Sequence, residues 1–290
     1  MNRGNQKVLG LIFGISAGAM WAAETILGKV LLASLSFLQV AASETFFAMI
    51  VAVIYALFNG ELLRLKRFSL RDALFIGLVG SVLAPLAYFL GLSWTLAINA
   101  ALLAHLQPIF VSILGFLFLN EKIWRNDVVG GLMIGLAAVL ITSRTFENLA
   151  ALKFGNLGDA VVLLATLGWA IVTVPGKRLT RAVSSVVIVS FRFMFASAIF
   201  LPLSTALNQL AIESIYQVVL GIIAGLGYIF YYEGLKRIKT SQVALTELSS
   251  PFFTAVLAWF ILGERLTLMQ IAGAILLLTG LIVLARKEKE

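Results

Sequence analysis

Cysteine is absent from this chain and histidine occurs once. The first absence excludes disulfides, thiolate nucleophiles and zinc–thiolate sites, and leaves the redox compartment unread. With one His and no Cys, no cluster has metal-ligand spacing and no nucleophile–base pair is recognisable. Glycine-rich phosphate loops are also missing, so the expectation is no cofactor, no metal and no enzyme. Charge is scarce as well. Only 12% of the 290 residues are charged and 61% are hydrophobic, whereas a soluble domain carries about 25% charged residues. Such a chain cannot furnish a polar exterior, so its natural solvent is the lipid bilayer.

What is present fills a membrane. Apolar runs between short polar breaks mark ten spans, at 8–32, 37–58, 72–94, 97–119, 127–143, 157–176, 184–204, 214–235, 240–262 and 267–285. Each is near the roughly 20 residues that a helix needs to cross a ~30 Å hydrocarbon core. The runs are continuous rather than alternating, which predicts helices and not a barrel. Arg3 and Lys7 ahead of the run at Val8 resemble a signal peptide. That run, however, contains a motif repeated later, so cleavage is not expected.

A net charge of +8 would suggest nucleic acid on a soluble protein. Its placement gives another account. With the N-terminus in the cytoplasm, 17 Lys and Arg fall in cytoplasmic segments and 4 on the opposite side, with Arg192 inside a span. Positive charge favours the cytoplasm. The expectation is an integral protein of a prokaryotic inner membrane, with both termini cytoplasmic and no nucleic-acid partner. Oligomeric state is unread.

An internal repeat divides the chain. At a shift of 143, residues 88–131 align with 231–274 without a gap, and eleven of 44 positions match, Tyr88/Tyr231, Gly91/Gly234, Pro108/Pro251 and Glu121/Glu264 among them. At a shift of 148, Trp21-Ala22-x-x-Thr25-x-x-Gly28-Lys29 recurs as Trp169-Ala170-x-x-Thr173-x-x-Gly176-Lys177. The expected units are 1–148 and 149–290, with five spans each. Five is odd, so the second unit is inverted, and inverted repeats are the signature of alternating access.

The span-4 and span-9 patterns, Leu106-Gln107-Pro108 to Asn120-Glu121-Lys122 and Leu248-Ser249-Ser250-Pro251 to Gly263-Glu264-Arg265, resemble the drug/metabolite transporter superfamily in its ten-helix EamA branch. The resemblance covers the whole chain. It implies an all-α basket around a central cavity and export of amino acids or related small metabolites. The family often has a basic residue early in spans 2 and 7. Span 7 keeps it in Phe191-Arg192-Phe193, but span 2 reads Ser43-Glu44-Thr45.

Ionisable groups inside a bilayer are costly and mark functional sites by default. Trp21, Glu24, Thr25 and Gly28 share one helix face. An acid beside a Trp can hold an amine by charge and cation–π attraction or take up a proton; a structural salt bridge is the plain alternative. Glu44 and Arg192 hold equivalent places and form a candidate gating or coupling pair, or else a static packing pair. Glu247 shares a face with Ser250, Pro251 and Thr254, which suits a cavity lining. His105 is a candidate substrate contact or proton relay, or a packed core residue. Tyr88, Trp169, Tyr228, Tyr231, Tyr232 and Glu233 are further lining candidates, and Pro85, Pro108 and Pro251 candidate kinks. Gly10-x-x-x-Gly14-x-x-x-Gly18, Gly131-x-x-x-Gly135 and Gly221-x-x-x-Gly225 predict close helix packing. Glu121 and Glu264 are read as exposed loop ion pairs with Lys122 and Arg265. An organic-cation transporter and an ion channel are the competing functions.

Overall fold

A computed structural model describes residues 3–60, 69–119, 125–153, 155–179, 183–237, 246 and 249–285. The first half holds α1 (Arg3–Leu31), α2 (Phe37–Phe58), α3 (Leu70–Trp94), α4 (Ala97–Ala104), α5 (Gln107–Leu119) and α6 (Arg125–Ser143), followed by the short α7 (Phe146–Ala150). The second holds α8 (Leu157–Leu179), α9 (Ser185–Ala206), α10 (Ile215–Arg237), α11 (Ser249–Leu262) and α12 (Leu268–Ala285). There is no strand among the described residues. Five helices are long and apolar enough to cross a bilayer unaided, and five shorter apolar helices bring the set to ten.

Span 4 is not one helix. It breaks at His105 and Leu106 between α4 and α5. Pro108 has no N–H to return to Ala104, so the continuous ladder fails there. Leu106 N–H turns back to the Leu103 carbonyl at 3.1 Å instead. Pro251 stands in the first turn of α11, where an absent N–H forfeits no bond.

The helices pack as two related sets. α1 lies against α10 and α11; correspondingly, α8 lies against α3 and α4/α5. α2 packs on α10 as α9 packs on α3, while α2·α9 and α6·α12 pair across the relation. Single atoms repeat it. A Cβ on Gly234 would approach the Gly10 carbonyl oxygen at 3.4 Å, and one on Gly91 would meet that of Gly158 at 2.7 Å. Gly10 and Gly158 are repeat mates, as are Gly91 and Gly234. Small residues at these crossings let backbones approach, and dispersion replaces the missing hydrophobic drive between helices in lipid. Gly221 does the same against Phe47 and the Glu44 carbonyl. Gly131 and Gly135 do not, because Gly131 makes only ordinary contact with Ile109 and Gly135 meets nothing within 4 Å. There the α6·α12 crossing uses Gly273 and Gly280 instead.

Candidate functional site: an aromatic-lined acidic centre

The middle of the bundle collects most of the residues singled out from sequence. Trp21 on α1 meets Tyr231 on α10 with ring centroids 5.6 Å apart and planes at 50°. Its mate Trp169 on α8 meets Tyr88 on α3 at 5.4 Å and 49°. The two pairs are the same contact, made once in each direction. Thr25 joins them. Its hydroxyl donates to the Trp21 carbonyl at 3.0 Å and lies 2.7 Å from the Tyr88 hydroxyl. Tyr228 extends the aromatic layer to Trp21 at 6.3 Å and to Phe193 at 5.4 Å.

Among the described residues, two carboxyls enter this layer, both from the first half. Glu24 and Glu44 are within electrostatic reach of each other, and both reach Tyr88 and Tyr228. One oxygen of each is buried with no hydrogen-bond partner among the described residues. Glu44 is only 4% exposed. Leaving a buried acceptor unmade costs the full desolvation of that group, which makes the two carboxyls candidates for a binding or proton-carrying role.

Arg192 touches the layer at Tyr228 and also reaches α3. Its guanidinium sits 5.0 Å over the Tyr228 ring. Nε donates to the Ser81 hydroxyl at 2.8 Å and Nη2 to the Gly80 carbonyl at 3.0 Å. The reason lies in α3, where Ile76–Leu83 is wound as a π-helix. In that register Ala84 N–H bonds the Val79 carbonyl, and residue 85 would bond Gly80. Pro85 has no N–H, so the Gly80 carbonyl is left over and Arg192 takes it. A Cβ on Gly80 would lie 2.9 Å from Val172 and 3.4 Å from that guanidinium, so glycine here makes room for Val172 of α8. Pro85, expected to kink the helix, frees an acceptor. Phe191 and Arg192 also border a shallow surface crevice with Ala73, Ile76, Leu179 and Ile188.

Other candidates stand apart. His105 holds the Ala101 carbonyl through Nδ1 at 2.8 Å, in the break of span 4. Ser250 is buried against the Gly18 side of α1. Glu233 pairs with Arg237 one turn along α10. Glu247 and Glu121 lie outside the described residues.

Sequence reading missed a second polar cluster at one end. Asp159, 2% exposed, accepts from Thr95 at 2.5 Å and Asn99 at 3.1 Å. Gln270 donates to Asn99 at 2.7 Å. Lys29 donates to the Leu92 and Thr95 carbonyls at the C-terminus of α3, where a cation suits the helix dipole. Glu264 corrects its expectation outright. It is buried rather than exposed, and its two oxygens accept from Ala97 N–H at 2.9 Å and Ile98 N–H at 3.1 Å. The first amides of a helix have no intrahelical acceptor, and they outcompete exposed Arg265 for this carboxylate. The one available signal was Asn156-x-x-Asp159 before an apolar run, a reciprocal helix-start box in the structure, with bonds of 3.0 and 2.9 Å.

Apolar helices long enough to cross a bilayer, packed as two related sets, mark a membrane protein. The sequence model of the EamA-like transporter family matches residues 8–143 and again 156–286, and the chain belongs to that family. An uncharacterized transporter of Methanothermobacter thermautotrophicus is 30% identical over 228 residues, which cover 76% of this chain and 66% of that protein. Another from Archaeoglobus fulgidus is 28% identical, covering 95% of each. The riboflavin transporter ImpX of Fusobacterium nucleatum is 29% identical over 74% of each chain. A solved structure titled "Crystal structure of protein" superposes with a TM-score of 0.67 at 20% identity, covering 94% of each chain. This last likeness shows the fold alone.

Proposed function

We propose that the protein carries an amine-bearing small metabolite, an amino acid in the leading case, by alternating access of the halves 1–148 and 149–290 about the Trp21–Glu24–Tyr88–Tyr228 centre. The observation that carries this reading is the pair of buried carboxyls, each with an oxygen unpartnered among the described residues, inside an aromatic layer. An ammonium group satisfies both features at once, through charge-assisted hydrogen bonds to Glu24 and Glu44 and cation–π contact with Trp21. A proton would satisfy Glu24 equally, which makes a proton gradient the candidate driving force. Export is carried over from the family resemblance, and cytoplasmic termini from the charge count.

A second reading, transport of an organic cation without a carboxylate, is favoured by one fact. Arg192, the buried cation suited to a substrate carboxylate, already donates to Ser81 and Gly80. The relative named a riboflavin transporter adds flat heteroaromatic rings to the ligands worth testing.

Proteoliposomes loaded with amino acids, amines and riboflavin test these readings. Flux that responds to an imposed pH gradient in wild type, and loses that response in Glu24→Gln, supports coupling through Glu24. An unchanged gradient response in Glu24→Gln removes it. Indifference to ligand charge across a cationic, zwitterionic and anionic series removes the ammonium assignment.

A further inference from the structure

From the geometry at the end of the bundle that bears Glu264 we infer that this carboxylate is the latch of the outer gate. The inference rests on the alternating-access part of the proposed function and not on the substrate.

Among the described residues, several bonds join the halves at this end. Asp159 ties the second half to Thr95 and Asn99 of the first; Gln270 reaches Asn99; Asn156 donates to the Trp94 carbonyl at 3.2 Å. Ser36 donates to Gln209 at 2.8 Å and Gln39 to Glu213 at 3.1 Å. Every one of these residues lies in or beside a segment that the charge count puts outside. Glu264 differs from the carboxylates of Asp159 and Glu213 in its partners across the halves, which are backbone amides rather than side chains. It is a charged group from the α11–α12 connection seated on the opening amides of α4, the helix that leads down to the break at His105. Two N–H donors and the positive end of the helix dipole face this carboxylate, and Lys29 is within electrostatic reach of it. Opening this end must lift Glu264 off both amides at once. A neutral amide in its place keeps the shape but gives up the charge and one of two acceptors, and so shifts the balance toward the outward-open state.

The chain has no cysteine, so single introduced thiols report without background. Ala100→Cys lies one turn below the latch on α4 and is buried. Ile188→Cys lies in the crevice by Arg192 and is buried as well. Each is labelled with a membrane-impermeant maleimide, the first from outside intact cells and the second in inside-out vesicles, without substrate. In Glu264→Gln, labelling at 100 should rise about tenfold, the factor that about 1.4 kcal/mol makes in an equilibrium, while labelling at 188 stays level or falls. A rise at both positions is general loosening and overturns the latch. No change at 100 overturns it too. Asp159→Asn separates the two levels of the inference. Labels that move there but not in Glu264→Gln leave alternating access standing without this latch; labels that move in neither count against both.

Discussion

Thr25 shows how much of the centre rests on a single hydroxyl. It ties α1 to α3 through Tyr88 and thereby sets the two tryptophan–tyrosine pairs in register. Interhelical hydrogen bonds in membranes contribute about 0.6 kcal/mol on average in double-mutant cycles, because the unfolded helices find other partners. Thr25→Val and Tyr88→Phe should each lower the melting temperature in micelles, since each leaves a buried partner unsatisfied. Made together they should cost less than the sum, with a coupling of about 1 kcal/mol. Additive effects would mean that the 2.7 Å contact contributes nothing. Trp21, Glu24, Thr25, Tyr88, Trp169, Tyr228 and Tyr231 were all legible before any coordinates, for a physical reason. A polar or amphipathic side chain inside an apolar run must face something other than lipid. Glu264 was misread by the same logic, because its acceptor-hungry partners are backbone amides, and amides carry no letter in a sequence.

Among the elements, α3 departs most from expectation. Its hydropathy marked a plain span, and nothing in the letters announced a π-helical stretch at Ile76–Leu83. Winding of this kind appears at functional sites, and here it couples Pro85, Gly80 and Arg192. The arginine substitutes for the N–H that proline cannot provide. Arg192→Ala should therefore destabilise by about 1–3 kcal/mol, the cost of an orphaned buried acceptor. Pro85→Ala restores a backbone N–H that can reach the Gly80 carbonyl. In that background, Arg192→Ala should cost distinctly less, visible as a smaller drop in melting temperature. Equal drops in both backgrounds would show that Arg192 stabilises the fold through Ser81 or Tyr228 and not through the freed carbonyl. The break of span 4 belongs to the same class of feature, and Pro108 did announce that one.

At the scale of the whole molecule, two shifted matches in the sequence sufficed to foresee which helices are equivalent, because repeat mates keep the residues of their crossings. The glycine pairs and the tryptophan–tyrosine pairs recur in the structure with the roles of the two halves exchanged. The ties between the halves seen among the described residues could not be foreseen, since each joins residues 60 or more positions apart. Those ties nonetheless bear on topology. Ser36, Thr95, Asn156, Gln209 and Glu264 come from five connections, and alternation puts all five on one side of the membrane. They bond to one another's neighbourhoods at one end, so the alternation of the ten spans is consistent throughout. Which side that is follows from charge alone, with 17 Lys and Arg against 4. Leu152, exposed after α7, and Asn59, exposed after α2, are by that alternation expected on opposite sides. An impermeant maleimide should label Leu152→Cys in intact cells, and Asn59→Cys only after the membrane is permeabilised. The reverse pattern would turn the molecule over and make Glu264 an inner latch. Labelling of both from outside would break the alternation itself, and with it the inverted relation of the halves.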